Sequence, residues 1–568
     1  MRKRPVLRLL PCCVLSLFLA AAPVHAQSSV LMDTMSAEMH RAMSMLGKGG
    51  DGQQPPYYIS YSAVDGYTVD ITAQQGALLA SEVNHGRLAE VVVRVGSPKL
   101  DNTHGEHRSS AIASYPLPLE DDRKAIARGL WWTTNRLYGN ALQNYLQVKT
   151  ENQVRAQEED TSPDFSTEPA EKSLGDPLGP PDVDREAWTA RTRALSGIFR
   201  EYPHVYSNFV EIVAASQTNY FASSEGSNLV YPEQLVRVVV FASTRADDGM
   251  DLFRVRTFEA RTAAELPSQK EMEAAVRSLA VSLEDLRNAP AARPFDGPAI
   301  LSGRAAAVFF HEVLGHRLEG QRQRGDQEGE TFTKDVGKPI LPDFLSVSDD
   351  PTLSTFDGTY LNGYYTYDDE GQRAQNVSLI QQGVLKTFLM SRLPIASFSQ
   401  SNGHGRAQIG LMPTGRQGNL IVSSTNTVSD AELRKMLIDE VKKQGKPYGL
   451  YFEDISSGFA VTRRSDPQAF QVIPLVVYRV YADGRPDELV RGVSIVGTPQ
   501  AALRKIVVTS DKREVFNGEC GAESGTVPVS AIAPAMLVTE IETQRQQQGT
   551  SRPPILPPPT AISAKETN

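Results

Sequence analysis

At 568 residues the chain is too long to close around one hydrophobic core, so two or three domains are expected. Hydrophobic residues at 40% and charged residues at 22% describe an ordinary soluble globular protein. A formal net charge of −9, with basic residues clustered only at the N-terminus, excludes a nucleic-acid partner.

Residues 1–26 read as a signal peptide. Arg2, Lys3, Arg4 and Arg8 precede a short apolar run from Leu9 to Ala22, and Val24-His25-Ala26 forms a cleavage site before Gln27. The run is too short for a membrane helix, so the expected product is exported, periplasmic or secreted, with no membrane span after cleavage. Cleavage removes Cys12 and Cys13 and leaves Cys520 alone, so the mature chain forms no internal disulfide.

Leu31, Met35, Met39, Met43 and Leu46 recur at helical spacing and are read as core packing, with Gly47 as the stop. Alternation over 57–61, 67–71 and 90–95 predicts strands, separated by turns at Asp65-Gly66 and His85-Gly86. His104-Gly105-Glu106-His107 has metal-binding side chains but lies in polar sequence, and is read as a solvated loop. A long helix is expected from 120 to about 158, with Gly129 and Gly139 as points where it could divide. Five prolines among acids and serines mark 158–184 as an exposed, flexible insertion. Strands follow at 206–216, 219–223 and 235–243, then a helix over 268–287 with Met272, Val276, Leu279 and Leu283 inward. Residues 27–293 are thus expected to form an α+β domain, sandwich-like, on a mainly antiparallel sheet. Arg293-Pro294-Phe295-Asp296-Gly297-Pro298 marks the boundary with a second, β-rich domain over 294–543.

That second domain opens on Phe309-Phe310-His311-Glu312-Val313-Leu314-Gly315-His316-Arg317-Leu318-Glu319-Gly320. Two histidines and a glutamate in one apolar helical run are how a zinc hydrolase presents its ligands and base. In the H-E-x-x-H pattern the histidines lie about 40° apart around the helix; a spacing of five opens this to about 140°. The helix must therefore distort, by a π-type turn or a loosened last turn, and Gly315 suits either. Ser302 is the expected N-cap and Gly320 the expected stop. The alternative is a buried amphipathic helix whose histidines are incidental.

A catalytic zinc usually takes three protein ligands. Cys520, in the glycine-punctuated loop Asn517-Gly518-Glu519-Cys520-Gly521-Ala522-Glu523-Ser524-Gly525, is the leading third candidate. His404 and the Asp368, Asp369 and Glu370 carboxylates are the alternatives, and Cys520 could instead be a small packing residue. Downstream, strands are expected at 364–367, 374–381, 384–389, 420–423, 449–455, 471–481 and 506–509. Asp368-Asp369-Glu370-Gly371 reads as a solvated turn, with a second metal site as the alternative. His404 and Arg406, in Asn402-Gly403-His404-Gly405-Arg406, are candidates for holding a substrate carboxylate or carbonyl. A helix over 429–443 starts at a capping box formed by Ser429 and Glu432, and 544–568 is a proline-rich, disordered tail.

In these blocks the chain resembles the TldD/PmbA family of metallopeptidases, in its catalytic TldD-like branch. The resemblance rests on His311-Glu312-Val313-Leu314-Gly315-His316 with Leu318-Glu319-Gly320, then Asp368-Asp369-Glu370-Gly371, Gly383-Val384-Leu385-Lys386 and Asn402-Gly403-His404-Gly405-Arg406. It continues through Asp454-Ile455-Ser456-Ser457-Gly458, Arg491-Gly492-Val493-Ser494-Ile495-Val496-Gly497, Cys520-Gly521 and Val527-Pro528-Val529. The resemblance implies Zn2+ held by His311, His316 and Cys520, with Glu312 as general base on a zinc-bound water, and hydrolysis of peptides or unfolded protein segments. It also implies a homodimer, or a heterodimer with a PmbA-like subunit. The rival expectation is a non-catalytic, PmbA-like binding or assembly subunit, which would have no need of all four residues.

Overall fold

The computed structural model describes residues 29–48, 54–154, 161–324, 329, 331–466, 469–546, 554 and 556. The expected signal peptide, the start of the expected insertion and nearly all of the expected tail lie outside these residues. Two domains are present, as the composition implies.

The N-terminal domain is built on a hairpin of two long strands, Pro56–Gln74 and Ala77–Ser97. The turns expected at Asp65-Gly66 and His85-Gly86 are instead mid-strand and face each other, Gly66 opposite Gly86. Asp65 satisfies its carboxylate across the pair, accepting from His85 at 2.7 Å and Arg87 at 3.1 Å, so it has no need of its own backbone. The chain reverses at Gln75 and Gly76, whose φ values of 48° and 76° give the left-handed pair a two-residue hairpin requires.

The sheet runs in the order Leu100–Asp101, Ala77–Ser97, Pro56–Gln74, Ser207–Ser223, Asn228–Arg245 and Lys172–Leu174. Only its last pairing is parallel. Because side chains alternate, Ile59, Tyr61, Ala63, Val69 and Ile71 share one face. Helices Val30–Met45 and Arg123–Val154 cover one half of that face, and Arg185–Gly197 and Gln269–Asn288 the other. The methionine stripe packs into this core as expected, and the helix Arg123–Val154 passes unbroken through both glycines. Gly129 is small for a reason: a Cβ there would stand 2.6 Å from the Tyr115 ring.

The opposite face, with Tyr58, Ser60 and Arg94, meets the C-terminal domain. Here the expected flexible insertion is corrected in part. Residues 164–168 are laid into the interface, and 172–174 add an edge strand to the N-terminal sheet. Most of 169–184 is exposed or half-buried, as expected. Phe165 is buried between two guanidinium groups, with Arg94 and Arg392 each 3.9 Å from its ring centroid. Asp164 receives the Asp101 backbone N–H at 2.9 Å and faces His104 at 2.8 Å. Prolines keep this segment extended, but partners remote in sequence, which composition does not reveal, fix it in place. Phe165→Ala is therefore expected to cost about 3–5 kcal/mol, read as a lowered chemical-unfolding midpoint; a free insertion would leave the midpoint unchanged.

In the C-terminal domain, strands Phe295–Leu301, Tyr448–Ala460, Phe470–Tyr481, Val493–Gly497 and Gly525–Arg545 pair in succession, and the last returns to the first. The ring is closed, although Tyr448–Ala460 meets Phe295–Leu301 only at 450–452 and keeps a free edge beyond, and a wing of shorter strands begins at Asn419–Ser424. Strand Ile506–Ala522 forms a hairpin with Gly525–Arg545. Helix Gly303–Val313 lies in the same core as the ring strands, and of its residues only Arg304 escapes burial. Its apolar surface on every side suits that position. Residues 364–367, expected as a strand, run irregularly.

Candidate metal centre

The five-residue spacing of the histidines is reconciled by ending the helix between them. Ser302 caps the helix start as expected, accepting from the Ala305 N–H. The helix closes at Val313, Leu314 turns out with φ −116°, and a tighter 3-10 turn, Gly315–Leu318, carries His316. This is a loosened last turn, and Gly320 is not the stop. Gly320 is required instead by the Met390 sulfur, which a Cβ would approach to 2.6 Å. Gly315 likewise serves close approach, since its Cβ would lie 2.0 Å from Gln417 Oε1. Carbonyls freed at the helix end are taken by buried Arg317, which donates to Glu312 and Val313, and across to Val461 and Ala469.

Cys520 sits on the hairpin strand rather than in a loop, paired with Val527 just before the reversal. Its sulfur lies 3.2 Å from His311 Nε2 and 3.4 Å from His316 Nε2, and the three donor atoms all fall within 4.8 Å of one another. A tetrahedral zinc with bonds of about 2.0 Å to nitrogen and about 2.3 Å to sulfur needs neighbouring donors roughly 3.5 Å apart, so these side chains fit that ion. Among the described residues no other set of histidine, cysteine and carboxylate groups converges in this way. Burial alone would raise the Cys520 thiol, but His316 and His311 pull it well below its ordinary value. Against burial, that thiolate raises both histidines in turn.

Glu312 is buried beside this set, with Oε2 3.8 Å from His316 Nε2. The room it occupies is made by Gly458, where a Cβ would come within 2.6 Å of Glu312 Cγ. Gly458→Ala is accordingly expected to displace the carboxylate and lower turnover by about 100-fold with metal content kept. Equal losses of metal and turnover would show that the glycine supports the ligands instead. Glu319 orients the second histidine, its Oε1 3.1 Å from His316 Nδ1 and its Oε2 accepting from Arg322 at 2.7 Å. Burial alone would raise the Glu319 carboxyl, yet His316, Arg322 and Arg416 draw it down to about 2. The cavity above the set holds about 270 Å³ and is walled by Val308, Phe459 and Phe516.

The remaining candidates lie elsewhere. His404 is fully buried, with Nδ1 3.0 Å from the Asn402 carbonyl and Nε2 3.3 Å from Asp349, and it neither joins the metal set nor lines the cavity above it. Its glycine neighbours serve packing, for a Cβ at Gly405 would meet Glu370 Oε2 at 2.3 Å. Arg406 donates to the Gln417 carbonyl at 2.8 Å and stacks over Tyr365, borders a different cavity and does not line the metal cavity. The Asp368-Asp369-Glu370 turn is largely buried rather than solvated. Asp368 accepts from the backbone N–H groups of Glu370, Gln372 and Gly405, and Glu370 from that of Arg392. His104 Nδ1 lies 2.8 Å from Asp164 Oδ1, so the ring is held by a partner instead of standing free in solvent.

A closed strand ring, a buried helix that ends between two histidines and a cysteine from a distant hairpin together form a candidate metal centre. Residues 295–545 match the PmbA/TldA metallopeptidase C-terminal domain, which places the C-terminal domain of this chain in the TldD/PmbA family. A metalloprotease of Methanothermobacter thermautotrophicus is 28% identical over 333 residues, 57% of this chain and 67% of that protein. A zinc metalloprotease TldD homolog of Saccharolobus solfataricus is 26% identical over 249 residues, 43% of this chain and 51% of its own length. The chain thus spans about half to two thirds of these relatives. TldE from Thermococcus kodakarensis shares the fold, with a TM-score of 0.57 at 12% identity over 90% of this chain and 100% of that one.

Proposed function

We propose that this protein is a zinc metallopeptidase that hydrolyses peptides or unfolded protein segments. The observation that carries this reading is the convergence of His311, His316 and Cys520 within 4.8 Å, with Glu312 alongside. His311, His316 and Cys520 would hold the ion, which when bound supplies a Lewis acid that acidifies water and polarises the scissile carbonyl. Glu312 takes the proton of the attacking water and returns it to the leaving amine. Glu319 fixes the ring orientation of His316 through Nδ1, leaving Nε2 for the ion. Residues 457–460 pair with 470–473 on one side, and 456–460 line the cavity. Their outer edge is suited to an extended peptide held by main-chain hydrogen bonds.

We further propose a dimer, either of two copies or with a PmbA-like subunit, as the resemblance to the TldD/PmbA family implies. We also propose export. Among the described residues no helix is long and apolar enough to cross a membrane, and the basic and apolar N-terminus is suited to cleavage before Gln27. N-terminal sequencing of the protein from its native cells should begin at or near Gln27, and an intact Met1 would refute export.

The hydrolase reading is tested with purified, zinc-loaded protein and a reduced, unfolded substrate protein, alone and with a PmbA-like partner. Cleavage should stop on chelation and return with zinc. A chain that holds one zinc yet cleaves nothing under either condition would belong with the non-catalytic subunits.

A further inference from the structure

A second cavity, of about 340 Å³, lies between the domains behind the Cys520 hairpin. The N-terminal sheet contributes residues around 215–219 and 231–235, and the C-terminal domain contributes 364–369 with Thr526, Val527 and Pro528. Cys520 and Val527 are partners, so Thr526 and Pro528 project from the opposite face of the hairpin. The hairpin thus separates this cavity from the metal centre.

Three features of its wall select a ligand. Tyr231 and Tyr364 present aromatic surface, whereas Tyr367, its ring 5.3 Å from that of Tyr231, already carries Arg373 5.4 Å from its centroid. Glu233 and Asp369 add two carboxylates; Asp369 already accepts the Ala407 backbone N–H at 2.8 Å and faces Arg406, so Glu233 is the carboxylate left for a ligand. Asn362 is 94% buried (6% relative exposure), and neither its amide nitrogen nor its amide oxygen has a hydrogen-bond partner. An unmatched amide in a cavity wall is complementary to a peptide group, which offers one donor and one acceptor. Tyrosine faces together with carboxylates are complementary to a cation. Of the two arginines in the wall, Arg261 is exposed, and Arg406 is committed to the Gln417 carbonyl and the Tyr365 ring.

We propose that this cavity is a second peptide-binding site, taking an extended segment that carries a lysine or arginine side chain. Asn362 pairs with a main-chain amide, and Glu233 with Tyr231 and Tyr364 receives the cation. The peptide nature of the ligand rests on the hydrolase reading above, but occupancy does not depend on cleavage. A substrate held here and at the metal centre would be selected by a residue away from the scissile bond.

The test uses the full chain carrying Glu312→Gln, zinc-loaded, so that binding is read without turnover. Its probes are acetylated and amidated alanine pentapeptides with lysine, alanine or glutamate at the centre, titrated by calorimetry. The lysine peptide should bind about tenfold more tightly than the alanine peptide. Glu233→Gln should erase that preference, and Asn362→Ala should weaken both peptides alike. Equal affinity for lysine and alanine, a preference for glutamate, or a lysine preference that survives Glu233→Gln would overturn the assignment. Any of these results leaves the hydrolase reading intact, since that stands or falls on cleavage by the unsubstituted protein.

Discussion

Glu312→Gln should lower peptide hydrolysis by about 10²–10⁴-fold while zinc content stays at that of the parent protein. The amide keeps the size of the side chain in the space left by Gly458, so the surrounding strand need not move. What it loses is the basicity needed to accept a proton from water. Glu312 also lies 3.8 Å from His316, close enough that a direct role in holding the ion is a real competitor. Metal analysis separates the two: loss of zinc together with activity would make Glu312 a ligand and leave the general base to be found.

The second large effect is expected at Cys520. Cys520→Ser should weaken zinc binding by at least about 100-fold and remove activity with it, because two imidazoles alone leave the ion short of its usual protein ligands. A serine hydroxyl does not ionise as the thiol does beside His311 and His316. In the parent protein the thiol should resist alkylation with zinc bound and react after chelation. A packing cysteine would behave otherwise: the serine variant would keep its zinc and lose only a little stability.

What could be read in the sequence followed the range of the interaction. The helix over 30–45, the capped helix at 269–288 and the start of the metal helix all obey local spacing and capping, and each forms where those signals place it. The His311, Glu312 and His316 cluster was legible for the same reason. The end of that helix was not, because Gln417, Met390 and the strand carbonyls that take Arg317 are remote in sequence. Asp65-Gly66 misled because a cross-strand histidine and arginine satisfy an aspartate as well as a turn does. Glycines misled most often. Gly405 looks like loop punctuation, yet it is small because the Glu370 carboxylate passes over it. Proline content around 163–181 hid a buried aromatic, since composition counts residues and cannot see Arg94 and Arg392 closing on Phe165.

The distance along the chain between the metal donors sets an order of events. His311 and His316 precede Cys520 by 209 and 204 positions, and Cys520 reaches them only when its strand has paired with the last strand of the domain. A ribosome must therefore release nearly the whole chain before three donors can meet. Any product truncated before the hairpin carries two histidines and a glutamate with no third donor beside them. On the proposed reading metal capture would then belong to the end of folding, and a peptidase built in this way would stay inert while it is being made.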